Sequence, residues 1–139
     1  MVLGLARSGR EIADGYYKNA VQYIEQKIDA DSRLHEIKST ENSRMILALT
    51  AAGYDASDVA GYNLLKGLTD LEYVKGQGIN GAVWALIAFD SHNYKIPGDV
   101  GNSTTVTREN LVQTILDDQL SDGGWGLDGI TTEPDMTAM

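Results

Sequence analysis

An all-α fold is predicted for this chain of 139 residues by three observations. Apolar residues recur at the three- and four-residue spacing of a helix in several segments. Helices that are apolar on one side alternate with helices that are apolar all round. The pair then recurs about every 45 residues, within the period range of helical repeat arrays.

The first one-sided helix is predicted over residues 11–28. Tyr17, Val21, Ile24 and Ile28 form its stripe, and Lys18, Asn19, Gln22, Glu25 and Gln26 fill the other face. Ser39 and Thr40 offer N-caps for the next helix, and Glu41 suits its first turn. Met45, Ile46, Leu47, Ala48, Leu49, Ala51 and Ala52 are apolar on every side, and Gly53 stops the helix. A short helix of that kind must be surrounded by protein. Residues 62–68, with Tyr62, Leu65 and Leu68 at helical spacing, read as a second outer helix, and residues 79–89 as a second buried one. Residues 90–105, rich in Asn, Ser, Gly and Thr with Pro97 among them, form a loop. Thr107 then caps a third outer helix whose stripe is Val112, Ile115, Leu116 and Leu120. Beyond a glycine-rich turn over residues 122–129, Thr132 caps a last helix that has Glu133 and Pro134 in its first turn.

Laid over one another, Asn19 to Ile24 matches Asn110 to Ile115, Thr40-Glu41 matches Thr132-Glu133, and Leu47-Ala48-Leu49 matches both Leu3-Gly4-Leu5 and Trp84-Ala85-Leu86. An open solenoid helix keeps a solvated edge, so an all-apolar helix in each repeat points instead to the inner ring of a closed double barrel, an α/α-toroid. The chain is read as a single partial domain over residues 1–139, about three hairpins of such a ring. It begins in the second half of an inner helix (residues 1–9) and ends in the first half of another (residues 132–139).

Composition narrows the function. Twenty acidic residues against eleven basic ones give a net charge of -9, which repels phosphate backbones and anionic membranes, so no nucleic-acid partner is expected. The absence of cysteine removes disulfides, thiol nucleophiles and cysteine-ligated zinc, and leaves the compartment open. Residues 1–9 lack the basic start and cleavage site of a leader. The longest apolar stretch, Ala82–Phe89, falls far short of the roughly 20 residues that span a bilayer. A soluble protein is expected.

The stretch Gln119-Leu120-Ser121-Asp122-Gly123-Gly124-Trp125 resembles the Q-x3-G-x-W core of the QW motif in squalene and oxidosqualene cyclases. Ile115 also fits that motif, whereas Thr114 stands where the family prefers an aromatic. The resemblance implies a structural role for Gln119, Gly123 and Trp125: glutamine and tryptophan stack at the end of an outer helix and tie neighbouring hairpins together. Residues 39–44, 61–65 and 77–88 resemble the prenyltransferase/squalene-oxidase-type repeat domains of Gram-positive surface proteins. Those domains are similar in turn to the α-domain of the cobalamin carriers intrinsic factor and transcobalamin. What this resemblance implies is an extracellular or cell-surface module, with a small ligand (a corrinoid-like molecule is one candidate) or a neighbouring domain as its partner.

Glu133-Pro134-Asp135-Met136-Thr137-Ala138 lies over the D-x-D-D-T-A motif with which class II terpene cyclases protonate an alkene, and Asp135 takes the place of the acid. Met136 replaces the carboxylate beside it, and a thioether can neither hold nor polarise a proton. Asp135 is therefore read first as a first-turn carboxylate favoured by the helix dipole. A cyclase fragment using it as general acid is the alternative. Prenyltransferase zinc chemistry needs a cysteine that is absent. His35 and His92 stand alone in polar loops, and Asp117, Asp118, Asp122 and Asp128 lack the spacing of a calcium loop, so no metal and no cofactor are expected. Trp84, Phe89, Tyr54 and Tyr94 read as core, with Trp84 also placed to face the cavity of the ring. The function read from the sequence is a noncatalytic ligand-binding or partner-binding module, with a pure spacer as its unliganded variant. A half-ring would leave Met45, Ile46, Leu47, Trp84, Leu86 and Phe89 poorly covered. Because residues 133–139 of one chain followed by residues 2–7 of another would read as one inner helix, a homodimer joined through the cut edges is expected.

Overall fold

The computed structural model describes residues 2–13, 15–98 and 104–138. Met139, on which the end-to-end junction partly rests, Met1 and the middle of the 90–105 loop lie outside the described residues. The elements are helices α1 (Val2–Arg7), α2 (Tyr16–Lys27) and α3 (Ser39–Ala51), a 3-10 helix (Leu64–Leu68), then α4 (Leu71–Lys75), α5 (Ile79–Asp90), α6 (Arg108–Asp117) and α7 (Pro134–Thr137). Among the described residues the chain is all-α, and its only β pairings are the isolated bridges Val59–Tyr62 and Asp70–Thr105. No described helix is long and apolar enough to cross a membrane.

Helix α3 lies between α1 and α5, and α5 also meets α4 and α6. Helices α1, α3 and α5 share one ending. The Arg10 N–H donates to the Leu5 carbonyl (3.2 Å), the Tyr54 N–H to Leu49 (2.9 Å) and the Tyr94 N–H to Phe89 (2.8 Å). In each case the residue before the donor is left-handed: Gly9 at φ 70°, Gly53 at 85° and Asn93 at 50°. This is the six-to-one bond of a Schellman cap, which satisfies a carbonyl the helix itself cannot pair. The caps put residues 5, 49 and 89 in register. Leu47-Ala48-Leu49 therefore corresponds to Ile87-Ala88-Phe89, three residues beyond the Trp84-Ala85-Leu86 pairing expected from the sequence. A helix that is apolar on all sides matches another in several registers, and only the cap selects one.

Other expectations need correction. Helix α2 starts at Tyr16, not at residue 11, because the chain is still leaving the cap of α1. Ser39 and Thr40 lie inside α3, preceded by Lys38, and both are buried. The acceptor at that helix start comes from elsewhere: Gln77 Oε1 receives the Thr40 N–H (2.9 Å) and the Ser39 hydroxyl (3.3 Å). The second outer helix shrinks to the 3-10 turn, in which Leu64, Leu65 and Leu68 are all buried. The unpredicted α4 follows, started by Asp70 Oδ1 accepting from the Glu72 and Tyr73 amides. Thr107 caps α6 in a reciprocal capping box with Asn110. The apolar stripe of α6 is rotated, however. Leu111 is buried against α5, while Val112 and Leu116 are 43% and 53% exposed. The orientation follows from Arg108, which donates to Asp90 Oδ1 (2.7 Å) and to the carbonyls of Phe89 (3.3 Å) and Tyr94 (3.0 Å), tying the start of α6 to the end of α5.

Ile46, Leu47 and Phe89, expected to lack cover, are buried, and Met45, Trp84 and Leu86 are partly so. Ala56, Val59, Tyr94 and Val106, from segments between the helices, belong to the same core. The Tyr94 phenol reaches back into it, sharing a hydrogen bond with Thr50 Oγ1 (2.9 Å) and accepting from the Ala56 N–H (3.0 Å).

The fully buried Asn42 joins three segments. Its Oδ1 accepts from the Leu34 N–H (2.8 Å), and its Nδ2 donates to the carbonyls of Ser32 (2.8 Å) and Leu64 (3.1 Å). Gly67 closes over this junction. A Cβ there would collide with the Ser32 carbonyl and the Asn42 amide. Replacing Asn42 with Ala strands one buried donor and two carbonyls. It should lower unfolding free energy by about 2–4 kcal/mol, measured by urea denaturation. A loss within about 0.5 kcal/mol, the scale of an uninvolved surface site, would show that the carboxamide does not hold the junction.

Candidate functional site

A groove of about 850 Å³ opens beside α1, α3 and α5. That volume lies within the roughly 300–1,000 Å³ that holds small ligands. In the register set by the caps, its walls are the same three positions of each inner helix. They are Leu3, Ala6 and Arg7 from α1, Leu47, Thr50 and Ala51 from α3, and Ile87, Asp90 and Ser91 from α5. Positions spaced three and four apart share a helix face, so each helix presents one face to the groove.

Trp84, Leu86 and His92 complete the lining. Leu3 and Ile87 remain 42% and 41% exposed on the floor. The Arg44 guanidinium stands 5.7 Å from the Trp84 ring centroid, within cation–π range. The rim is polar: Arg7, Thr50, Asp90, Ser91 and His92. The His92 ring lies tilted 5.4 Å from that of Tyr94.

Of the residues singled out in the sequence, Trp84 is in the groove and Asp135 is not among its lining. Asp135 is exposed in the first turn of the four-residue α7, beside the buried Met136. Its motif neighbours hold the preceding turn. Glu133 Oε2 accepts from the Leu127 N–H (3.1 Å), the Glu133 N–H donates to the Trp125 carbonyl (2.8 Å), and Thr137 Oγ1 accepts from the Trp125 N–H (3.0 Å). Thr132 does not cap α7, a position taken by Glu133. Its hydroxyl donates instead to the Asp122 carboxylate (2.6 Å).

Gln119, Gly123 and Trp125 come together at the end of α6. Gln119 Nε2 donates to the Gly123 carbonyl (2.8 Å), and Trp125 Nε1 donates to the Ile115 carbonyl (2.6 Å) inside the helix. Gly123, at φ 87°, makes the reversal between them. The Thr132 hydroxyl and then the Gly124 N–H hold the Asp122 carboxyl below the usual carboxylate range. The Thr131 and Ile130 amides do the same for Asp128. Asp117 accepts from Gln113 (2.7 Å), and His35 Nδ1 accepts from the Ile37 N–H (3.1 Å). Each of these groups serves its own turn or helix. Among the described residues no three His, Cys, Asp or Glu are grouped to hold a metal ion.

A second cleft, of about 540 Å³, lies between the 30–33 loop and the end of the 3-10 helix. Its Arg33 is paired with Asp70 (2.8 Å) and stacked 4.2 Å from the Tyr73 ring. Burial pushes the Tyr73 phenol up to about 12, and its hydroxyl donates to the His35 carbonyl (2.6 Å). These groups are mutually satisfied and leave little for a ligand.

The rim residues Arg7, Thr50 and Asp90 were missed in the sequence because they do not resemble one another. The signal that aligns them is the left-handed cap residue at 9, 53 and 93, which two glycines and one asparagine supply. No family model, curated protein or solved structure matches the chain.

Trp125 is half-buried, so Trp125→Ala should cost about 2–3 kcal/mol, below the roughly 3–5 kcal/mol of a fully buried ring. Trp125→Phe keeps the ring but orphans the Ile115 carbonyl, and about 1 kcal/mol is expected. Equal losses for the two variants in thermal unfolding would show that the indole hydrogen bond carries the whole effect.

Proposed function

We propose that the chain is a noncatalytic module of the α/α-toroid type whose inner-helix groove binds a small, largely apolar ligand or an apolar segment of a neighbouring domain. The observation that carries this reading is the triple use of one helix face. Three helices present equivalent positions to a single groove, with an aromatic ring and an apolar floor open to solvent. The QW-like stretch and the surface-domain resemblance support the toroid assignment. They also make a corrinoid-like molecule the first ligand class to test and the cell surface the proposed setting. Asp135, exposed and outside the groove, has no role in this reading.

The neutral apolar fluorophore N-phenyl-1-naphthylamine should bind with one-to-one stoichiometry and blue-shifted emission. Ala51→Trp, which fills the groove, should abolish the signal without changing the melting temperature. Probe binding that survives Ala51→Trp would place the site elsewhere, and no binding to the unmodified chain would sink the groove reading. Cobinamide added as competitor then tests the corrinoid class.

The quaternary reading that accompanies it is a homodimer, two half-rings joined through their free edges. The exposed Val112 and Leu116 of α6 are apolar surface outside the groove that is available for it. Light scattering at micromolar concentration should return twice 15.1 kDa. A soluble species of one chain mass excludes the dimer and leaves the groove reading intact.

A further inference from the structure

The charges around the groove are unbalanced in a direction opposite to the chain as a whole. The chain carries -9, yet the charge left over at the rim is positive. Asp90, the acid in the lining, is already engaged by Arg108 Nε at 2.7 Å. Arg7, in the last turn of α1, is exposed and makes no ion pair among the described residues. The His92 imidazole lies on the same rim. Next to these groups the floor is aliphatic and aromatic, with Leu3, Leu47, Trp84 and Ile87 presenting no polar side-chain group apart from the indole N–H.

Each class of ligand meets this arrangement differently. An uncharged apolar molecule covers the floor but leaves the guanidinium without a partner. A cationic amphiphile sets like charges side by side at the rim. A multiply charged anion finds one guanidinium in the lining, since Arg44 stands over the Trp84 ring and is paired with Glu41. A single carboxylate matches, because its two oxygens fit the fork of one guanidinium in a bidentate pair.

We propose that the groove binds an aliphatic chain ending in one carboxylate, the chain lying on Leu47, Trp84 and Ile87 and the carboxylate accepting from Arg7. The proposal rests on the reading of the groove as the ligand site and specifies the chemistry of its occupant.

The test is displacement of N-phenyl-1-naphthylamine from the full 139-residue chain by submicellar dodecanoate, with dodecanol as the uncharged match. Dodecanoate should displace the probe more effectively than dodecanol. Arg7→Gln should weaken dodecanoate by about tenfold, the loss of one charge-assisted hydrogen-bonded pair, and leave dodecanol unchanged. Arg10→Gln removes the same net charge outside this lining and should leave both competitors unaffected.

Dodecanol competing as well as dodecanoate, or Arg7→Gln without effect, overturns the carboxylate assignment. So does a bound probe that dodecanoate cannot displace, and in each of these cases the groove reading survives. If the probe itself fails to bind, the groove reading and the proposal fall together. Arg7 is solvent-exposed, so the variant should fold, and an unchanged circular dichroism melt confirms it.

Discussion

A buried carboxamide determines how the layers of this protein meet. Asn42 sits in the first turns of α3, where the 32–34 loop and the start of the 3-10 helix arrive without partners for the Leu34 N–H or the Ser32 and Leu64 carbonyls. Unpaired backbone groups at such depth are costly, so both segments are drawn to the one side chain that offers an acceptor and two donors. Gly67 follows from that choice, since the chain passes too close to Asn42 for any Cβ. The same closeness converts a predicted amphipathic helix into a tight 3-10 turn with three buried leucines.

Helix ends do the rest of the positioning. The repeated left-handed cap turns the chain away from each inner helix at the same place, and Tyr94 and Arg108 lock the last of these turns to its neighbours. Tyr94 bonds across to Thr50 and Ala56, while Arg108 collects Asp90 and two carbonyls at the end of α5. Arg108 thereby fixes the rotation of α6, which explains why Leu111 is buried and Val112 is not. A basic side chain at a helix C-terminus is also favoured by the helix dipole.

The groove is a consequence of this repetition. Equivalent faces of α1, α3 and α5 line a shared surface, and the small residues Ala6 and Ala51 stand in that lining. Position 90 carries the acid that Arg108 neutralises, and position 7 carries a cation with no ion pair among the described residues. The chemistry at the rim therefore comes from residues that break the repeat, while the shape comes from those that keep it. The C-terminal motif belongs to a different task. Gln119, Trp125, Glu133 and Thr137 knit the turn between α6 and α7 through backbone hydrogen bonds, and Asp135 points away from that work into solvent.

Much of the architecture was legible in the sequence, because helical periodicity and capping are local. The all-α class, the existence of helices α3 and α5, the Thr107 cap and the stop at Gly53 all follow from residues close together in the chain. What the tertiary structure alone decided are relations between distant groups. Gln77 supplies the acceptor at the start of α3, Asp70 opens a helix that no apolar stripe announces, and Thr132 turns to Asp122 rather than to α7. The register of α5 against α3 belongs to the same class. An all-apolar segment carries no phase, since every rotation and several shifts bury it equally well. The phase is set where the backbone must pair its last carbonyls, at Gly53 and Asn93, and that choice places Trp84, Ile87 and Asp90 on the groove.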